Sequence, residues 1–591
     1  MKVPPIWKVS FLRKFIKNEV TEERTFFALT LLTGILAGLI SVALYKATHY
    51  LTSYFGTDSA FTLRTLAFGG GALFISGYLT TRKFPSTAGS GIPGVRIALA
   101  VYHGKINIGA TVAKFFTSIL SLSSGLSLGR EGPTVAITAG IGSSLGKAFS
   151  LSKKKVKALV AIGSAGGIAA AFNTPMAAIV FTLEEIVGDL NAKLLGSIII
   201  SSVVAAMTAA YFLGDKAALG QLNYSMASYR ELYLFGLVGL AAAVLGPLWV
   251  KLVLKFRSMS QKIFKGHRLT VIMLTFLFIA GLSLYEPQIL GSGHIPLQDT
   301  LLSLILDWKV LLVLFVLKFV VTALCYASGA SGGLFMPTLL IGATLGGLVA
   351  ALAKLGFPAL TINMGAFALV GMGAFFASVI RAPFSSIIMV FELTRDYHLI
   401  APLMLANITS YMISSRFLTG SIYEKISEQD GIHLPTREDG DVLELLHVED
   451  AMIQNPISLN AKISITAAMK GLEGNDFSGY PVLKNGLLVG MVSTNDIGST
   501  FAKGEGDETL LEDISEKKII SIYPDQSLLV AFHRLRKYHI SRLPVVSRIN
   551  DRRIVGIITA EDIVSKFGFH VTSEDDDENI LEELETVELE N

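Results

Sequence analysis

The sequence predicts an all-α protein that crosses a membrane many times, built as two repeats of broken helices and followed by a soluble α+β module. Three observations predict this. The chain of 591 residues is 51% hydrophobic and only 16% charged, with a mean hydropathy of +0.56, whereas soluble domains carry about 25% charged residues. Its apolar segments are interrupted by glycine and proline in an order that occurs twice. After about residue 430 the pattern changes to short β-rich runs alternating with amphipathic helices, and there too one motif is present in two copies.

The membrane segments come first. Charge-free runs occur at Ala158–Leu183, Leu195–Gly214 and Met364–Ile380, long enough for membrane helices or pieces of them. Lys2, Lys8, Arg13, Lys14 and Lys17 precede the first apolar run, so residues 1–25 are expected to be a cytoplasmic segment by the positive-inside rule. That first run, about Phe26–Tyr45, is too long for the core of a cleavable signal. Cys325 is the only cysteine, which excludes an intrachain disulfide and a thiolate metal cluster. Among apolar neighbours it is expected to be a small core residue.

The breaks in these segments recur in order. Gly89-Ser90-Gly91-Ile92-Pro93 is echoed by Gly291-Ser292-Gly293-His294-Ile295-Pro296, Lys114-Phe115 by Lys318-Phe319, and Pro133-Thr134 by Pro337-Thr338. Gly163 through Pro175 to Glu184 matches Gly371 through Pro383 to Glu392. The offset stays between 202 and 208 residues, so the membrane domain, 26–430, is read as two homologous halves, about 26–225 and 230–425. Close helix packing accounts for most of the 55 glycines. It does not account for ordered recurrence. Broken helices are the mark of transporters and channels, where freed backbone groups line an ion path near the midplane between two repeats. The sequence by itself leaves open whether the halves are parallel or inverted.

One break carries an acid. Gly129-Arg130-Glu131-Gly132-Pro133 heads an apolar stretch from Thr134 to Leu145, and Gly333-Leu334-Phe335-Met336-Pro337-Thr338 opens its counterpart. A charge is expensive in lipid and marks a functional position. A helix N-terminus with unpaired N–H groups attracts anions. Together they describe a chain built to hold an anion inside a membrane.

These motifs resemble those of the CLC family of chloride channels and chloride/proton antiporters, which shows Gly-Ser-Gly-Ile-Pro, Gly-(Lys/Arg)-Glu-Gly-Pro and Gly-x-Phe-x-Pro in this order and spacing. The resemblance covers about residues 26–430. It implies a homodimer of inverted-repeat protomers, each with its own pore, and chloride, protons and membrane lipid as partners; a nucleic-acid partner and an enzymatic activity are not expected. It also implies roles. Ser90 would coordinate the central chloride with its hydroxyl, Leu334 and Phe335 would offer backbone N–H groups, and Arg130 and Gly132 would do the same further out. Tyr423, which could otherwise be an interfacial anchor, would complete the chloride site and narrow the inner entrance. Such donors suit a transported anion, whose binding must stay weak enough for release. Glu131 would act as the gate, a tethered anion that competes with chloride until a proton neutralises it. Glu184 and Glu185 end the apolar segment that starts at Asn173-Thr174-Pro175, where acids are unfavourable beside a helix C-terminus. In the family the position of Glu185 is a protonatable glutamate in antiporters and tends to be absent from channels, so it would receive protons from the cytoplasm. Glu184 would order water near it, and Glu392, at the equivalent place in the second half, would be structural.

Residues 431–445 read as a polar connector. Beyond it, Gly479-Tyr480-Pro481-Val482-Leu483 and Gly490-Met491-Val492-Ser493-Thr494-Asn495-Asp496 are matched by Ser541-Arg542-Leu543-Pro544-Val545-Val546 and Gly556-Ile557-Ile558-Thr559-Ala560-Glu561-Asp562. The pair resembles tandem CBS domains, 446–504 and 511–568. That resemblance implies an adenine nucleotide (ATP, ADP or AMP) as a ligand, with Asp496 and Asp562 placed for a ribose and Tyr480 for a base. An empty, purely structural pair is the competing reading. The tail, 569–591, holds Glu574-Asp575-Asp576-Asp577-Glu578 and further acids, and like-charge blocks of this kind are usually solvated.

Orientation follows from two arguments. Nucleotides are cytoplasmic, which places the CBS pair inside. Lys153, Lys154, Lys155 and Lys157 precede a run that breaks at Asn173-Thr174-Pro175 and ends at Glu184. If that run is a hairpin of two part-length helices, the lysines and Glu185 share one side, and the positive-inside rule makes it cytoplasmic. The leading expectation is chloride/proton exchange, with a passive chloride channel as the alternative. Two remoter readings are a membrane enzyme, disfavoured because no His-Glu-x-x-His pair occurs, and a membrane-anchored nucleotide sensor, which would not need two broken-helix halves.

Overall fold

The computed structural model describes residues 19–566, except 58–61, 101, 189–191, 215–230, 265–266, 358–361, 433–442, 445, 473–478, 503–505, 517–518, 539 and 564–565. The basic N-terminal residues, most of the connector and the acidic tail lie outside the described residues. The chain divides into two units, Met1–Leu434 and Pro435–Asn591.

The first unit is helical. Its first half comprises α1 (Glu19–Phe55), α2 (Leu63–Tyr78), α3 (Ile92–Ala100), α4 (Ile108–Leu122), α5 (Glu131–Ala148), α6 (Lys153–Phe172), α7 (Pro175–Phe181) and α8 (Ala192–Leu213). The second half comprises α9 (Glu231–Ile263), α10 (Arg268–Ser283), α11 (His294–Leu301), α12 (Trp308–Ala327), α13 (Phe335–Gly356), α14 (Met364–Ile380), α15 (Pro383–Thr394) and α16 (Ile400–Ser414), and α17 (Ile422–Gln429) closes the unit. Each helix of the first half thus has its counterpart eight helices later. Among the described residues, six helices are long and apolar enough to cross a membrane.

The breaks expected from sequence are where the helices start and stop. Gly89 and Gly91 hold φ of +63° and +90°, and Gly291 and Gly293 hold +61° and +85°, a left-handed backbone that glycine adopts without cost. The same pair of turns therefore launches α3 and α11. Asn173 and Arg381 end α6 and α14 in the left-handed region, at φ +56° and +66°. Asparagine tolerates this conformation. Arginine does so rarely, and Arg381 is secured by donating to the Leu418 and Tyr411 carbonyls and the Ser414 hydroxyl. Proline follows at Pro175 and Pro383, at the first turn of α7 and α15, where a missing N–H does no harm.

Packing repeats residue for residue. A methyl on Gly142 would strike the Leu159 carbonyl and one on Gly346 the Phe367 carbonyl, while Gly163 abuts the Thr138 carbonyl and Gly371 that of Gly342. The α5/α6 and α13/α14 crossings are therefore the same crossing, close enough that an added methyl would cost about 1–3 kcal/mol. The halves meet about a local two-fold axis, as expected of inverted repeats. Gly129 and Gly333 exchange reciprocal N–H to carbonyl bonds of 2.7 Å. Cys325 is fully buried and accepts from the Ser127 N–H at 3.3 Å.

The second unit holds two three-stranded sheets, with strands β1 (Ile453–Gln454), β2 (Leu459–Asn460), β3 (Gly479–Lys484), β4 (Leu487–Ser493), β5 (Arg542–Ser547) and β6 (Asn550–Thr559), in the orders β2-β3-β4 and β1-β6-β5. The two copies exchange segments. Leu446 and Val448 pack with Ile522, Leu528, Leu543 and Ile558 of the second copy, and Leu511 packs with Ile465, Tyr480 and Val482 of the first. Residues 446–454 thus complete the second core. The sequence motifs lie inside β3–β4 and β5–β6 and could not show which core the flanking segments join.

Candidate functional site: the junction of the two halves

Four chain segments converge where the halves meet. Ser90 stands between the two left-handed glycines at the start of α3, 1% exposed, and its hydroxyl has no hydrogen-bond partner within the protein. Gly132 lets α5 approach it, since a methyl there would collide with Ser90 Oγ. Leu334 and Phe335 open α13 and are buried. The Phe335 ring is held by Phe172, Phe181 and Phe376 at centroid distances of 4.9, 5.5 and 4.8 Å. With its side chain anchored away, the segment presents backbone N–H groups of a helix start, whose partial positive charge favours an anion.

Tyr423 comes from α17, whose start is fixed by the Ser421–Glu424 capping box. It is fully buried, its hydroxyl has no partner within the protein, and it lies within electrostatic reach of Glu185, Tyr326 and Glu131. Buried polar atoms are nearly always hydrogen-bonded. Ser90 and Tyr423 thus present unpartnered hydroxyls beside two helix starts.

Glu131 is the first residue of α5 and 2% exposed. Its carboxylate folds back over Gly129 toward the first turn of α13, where the Met336 N–H faces it. Oε2 has no hydrogen-bond partner, and the ion pair with Arg130 spans 3.9 Å, too long for a hydrogen bond. Arg130 is occupied elsewhere, its guanidinium 4.2 Å from the centre of the Tyr45 ring. The gate candidate thus has its carboxylate against the same helix start that would attract an anion.

Glu185 lies in a π-helical turn, Thr182–Val187, that follows α7; such turns are frequent at functional sites. Leu183 packs with Leu151, Val156 and Leu159 at the start of α6. The run is therefore a hairpin, with Glu184 and Glu185 at the same end as the Lys153–Lys157 cluster. Its first arm is a full 20-residue helix rather than the part-length one expected. Glu185 Oε1 accepts from Arg96 Nη1 at 2.5 Å and from Ser421 Oγ at 2.6 Å.

Glu184 is held by hydrogen bonds from the second half. Its carboxylate accepts from the N–H of Ser385 at 2.9 Å, from Ser385 Oγ at 2.6 Å and from the N–H of Phe384 at 3.4 Å, capping α15. Glu392 returns the favour to α7, accepting from Met176 and Ala177 at 2.9 and 2.7 Å. These carboxylates satisfy each other's helix starts, which is why two half-helices can end in acids.

Sequence reasoning did not single out Arg96 and Ser421, and used Lys114 and Lys318 only as landmarks of the repeat. Both lysines are buried. Lys114 donates to the carbonyls of Thr87 and Gly89 at 2.8 and 2.6 Å, and Lys318 to that of Gly291 at 3.0 Å and to Ser127 Oγ at 3.3 Å. Each ties down the glycine turn of its own half.

In the second unit, Asp496 and Asp562 play matching structural parts. Asp496 Oδ2 accepts from Ser493 Oγ at 2.5 Å, and Asp562 Oδ2 from the N–H and Oγ1 of Thr559, both at 2.8 Å. The repeated (Ser/Thr)-x-x-Asp is thus a helix-capping box in each copy. Tyr480 is 1% exposed and packed in the core of the first copy.

Residues 70–415 match the family described as voltage gated chloride channel, and residues 448–500 and 511–568 match the CBS domain. The chain is 33% identical over 448 residues to the H(+)/Cl(-) exchange transporter ClcA of Vibrio cholerae, covering 72% of this chain and 95% of that one. It is also 33% identical over 431 residues to ClcA of Salmonella arizonae, covering 69% and 89%. Among solved structures, a eukaryotic CLC transporter superposes with a TM-score of 0.65 at 21% identity, covering 91% of this chain and 98% of that one. A slow cyanobacterial Cl-/H+ antiporter gives 0.62 at 24% identity, covering 69% and 98%. At these identities the structures show the fold.

Proposed function

The chain belongs to the CLC family, as an integral membrane protein with a CBS pair, and on that premise we propose that it exchanges chloride for protons, with Glu131 as the gate and Glu185 as the internal proton acceptor. The observation that carries the proposal is the set of buried, unpartnered oxygens on Ser90, Tyr423 and Glu131 at the junction of two helix starts. Chloride binds there to the hydroxyls of Ser90 and Tyr423 and to the backbone N–H groups of Leu334 and Phe335, with Arg130 and Gly132 further out. The Glu131 carboxylate competes for the same donors. Protonation removes its charge, so the side chain leaves and carries the proton with it. The relatives' description as H(+)/Cl(-) exchange transporters supports exchange, as does an acid at Glu185.

The Lys153–Glu185 end of the α6–α7 hairpin faces the cytoplasm in this reading, because basic residues favour that side, and the CBS pair lies on the same side. The working unit is a homodimer. An adenine nucleotide binds the CBS pair and modulates transport, with Asp562 and Asp496 toward the ribose; calorimetric titration of the full chain with ATP, ADP and AMP tests this, and no heat from any of them would leave the pair purely structural.

The deciding experiment for exchange uses proteoliposomes with a chloride gradient and no proton gradient, recording both ions. Chloride efflux that drives uphill proton movement supports the exchanger. Chloride movement without uphill protons would establish the passive channel.

A further inference from the structure

The acceptor Glu185 is bonded to both segments that carry chloride ligands. Arg96, on α3, donates to Glu185 Oε1 at 2.5 Å and to Ser421 Oγ at 3.1 Å, and Ser421 Oγ donates to Glu185 Oε1 at 2.6 Å. Helix α3 begins two residues after Ser90, so one rigid element joins the chloride hydroxyl to Arg96. Ser421 caps α17 and stands two residues before Tyr423. A single carboxylate oxygen therefore gathers one contact from the Ser90 helix and one from the Tyr423 helix. The side chains of Arg96 and Glu185 are 16% and 6% exposed, which limits screening by solvent.

The charged groups around this point are few. Glu184 comes from the same turn and is committed to the start of α15. From α17 come Glu424, which also lies within Coulomb reach of Arg96, and the neutral Tyr423. Both acids thus feel the charge of Arg96. When a cytoplasmic proton neutralises Glu185, the Glu185 end of the connection slackens.

We propose that Arg96 and Ser421 are positioning residues of the proton branch, forming a latch that ties charged Glu185 to the helices bearing Ser90 and Tyr423 and releases them when Glu185 is protonated. The latch rests on the reading of Glu185 as proton acceptor. It adds that the acceptor's charge is felt at the chloride site through two named contacts, in addition to any direct proton transfer to Glu131. The ion pair at the centre of the latch belongs to the first half alone, while Ser421 comes from α17 at the end of the second. Glu185 is matched by Leu393, which cannot form an ion pair.

The test has two arms. In proteoliposomes, proton flux is followed against internal pH for the wild type, Arg96→Gln, Arg96→Lys and Ser421→Ala. An opposite charge close to a carboxylate shifts its titration by about 1–3 pH units, so Arg96→Gln moves the internal-pH midpoint upward by that order. Ser421→Ala moves it the same way by less, and Arg96→Lys restores most of it. A merely structural arginine would slow both ions together without moving the midpoint. If Arg96→Gln does not fold, Ser421→Ala alone decides the direction. An unmoved midpoint in every variant that folds overturns the latch.

The second arm is calorimetric and needs no coupling. In Glu131→Gln, where the gate no longer titrates, chloride affinity weakens roughly two- to tenfold on acidification, the worth of one loosened hydrogen bond. Adding Arg96→Gln or Glu185→Gln removes that pH dependence. Affinity independent of pH in Glu131→Gln overturns the latch even if exchange is confirmed. A pH dependence that vanishes with Arg96 supports it even if proton coupling is absent, which would refute only the exchange reading.

Discussion

The two halves of the membrane unit share a backbone and divide the chemistry. Position for position, Glu131 answers to Phe335, Arg130 to Leu334 and Glu185 to Leu393. The glycine turns, the left-handed helix ends at Asn173 and Arg381, and the crossings at Gly163 and Gly371 are common to both. What differs is charge. In the proposed function the first half supplies every titratable group assigned to proton movement, and the second supplies Phe335, whose ring is buried among aromatics and whose backbone is assigned to the anion. The lesson is that a duplicated scaffold positions two helix starts face to face, and substitution on one side alone places titratable groups at a junction whose other side has none of them at the matching positions.

The sharpest way to break this comparison is at its centre. Glu131→Gln keeps the shape of the side chain and removes the competing charge, so the first half becomes as uncharged there as the second. Proton transport is expected to be abolished while chloride still moves, both recorded simultaneously in proteoliposomes. Proton movement against a gradient that persists in this variant would show that the division of labour is misassigned. Next in size is Glu185→Gln, which gives the first half a neutral residue where the second has Leu393. It should eliminate proton coupling and spare chloride conduction, with protons still reaching Glu131 from the outer side. Coupling equal to wild type would mean that Glu185 is an ordinary helix end with an ion pair.

Much of this division can be read from sequence, and the reason is physical. Helix starts and stops in a membrane need glycine, proline and small polar residues at fixed places, so the breaks at Gly89, Pro133 and Pro175 repeat at a nearly constant offset and announce the fold. Glu131 is visible because a charge inside an apolar frame needs a function. Partnerships are not visible. Arg96 lies 89 residues from Glu185 and Ser421 a further 236 beyond it, and no local pattern links them. Glu184 looked like a candidate for the proton path because it neighbours Glu185. Its use as a cap for α15 depends on a helix end 201 residues away. In the second unit the (Ser/Thr)-x-x-Asp motif was legible as a repeat, while the exchange of segment 446–454 was not, because strand pairing across copies leaves no mark in the strand itself.

A smaller effect sharpens the comparison at the chloride donors. Ser90 and Ser292 occupy equivalent glycine turns, yet only Ser90 is assigned to the anion. Ser90→Ala is expected to weaken chloride binding by about 0.5–1.5 kcal/mol, the worth of one neutral hydrogen bond, and Tyr423→Phe by a similar amount. Ser292→Ala should leave chloride affinity unchanged. Calorimetry on the three variants separates them. If Ser90→Ala and Tyr423→Phe together have no effect, the anion site lies elsewhere.

The smallest expected effect concerns a pair of acids that the halves share. Glu184 and Glu392 make the same contact in opposite directions, each accepting from the first N–H groups of the other half's short helix. Neither is assigned a transport step, so their removal should reveal scaffold energetics without chemistry. A glutamine in either place still accepts a hydrogen bond but loses the attraction between a carboxylate and a helix start, worth about 0.3–1 kcal/mol. Glu184→Gln and Glu392→Gln should therefore lower thermal stability slightly, with the proton-to-chloride ratio unchanged. The local two-fold relation makes the backbone part of the two losses alike, and Glu184→Gln also perturbs the bond from Ser385 Oγ, which has no counterpart at Ala177. A fall in coupling confined to Glu184→Gln would instead assign this acid to the proton path beside Glu185, and the symmetry of the caps would then be incidental to transport.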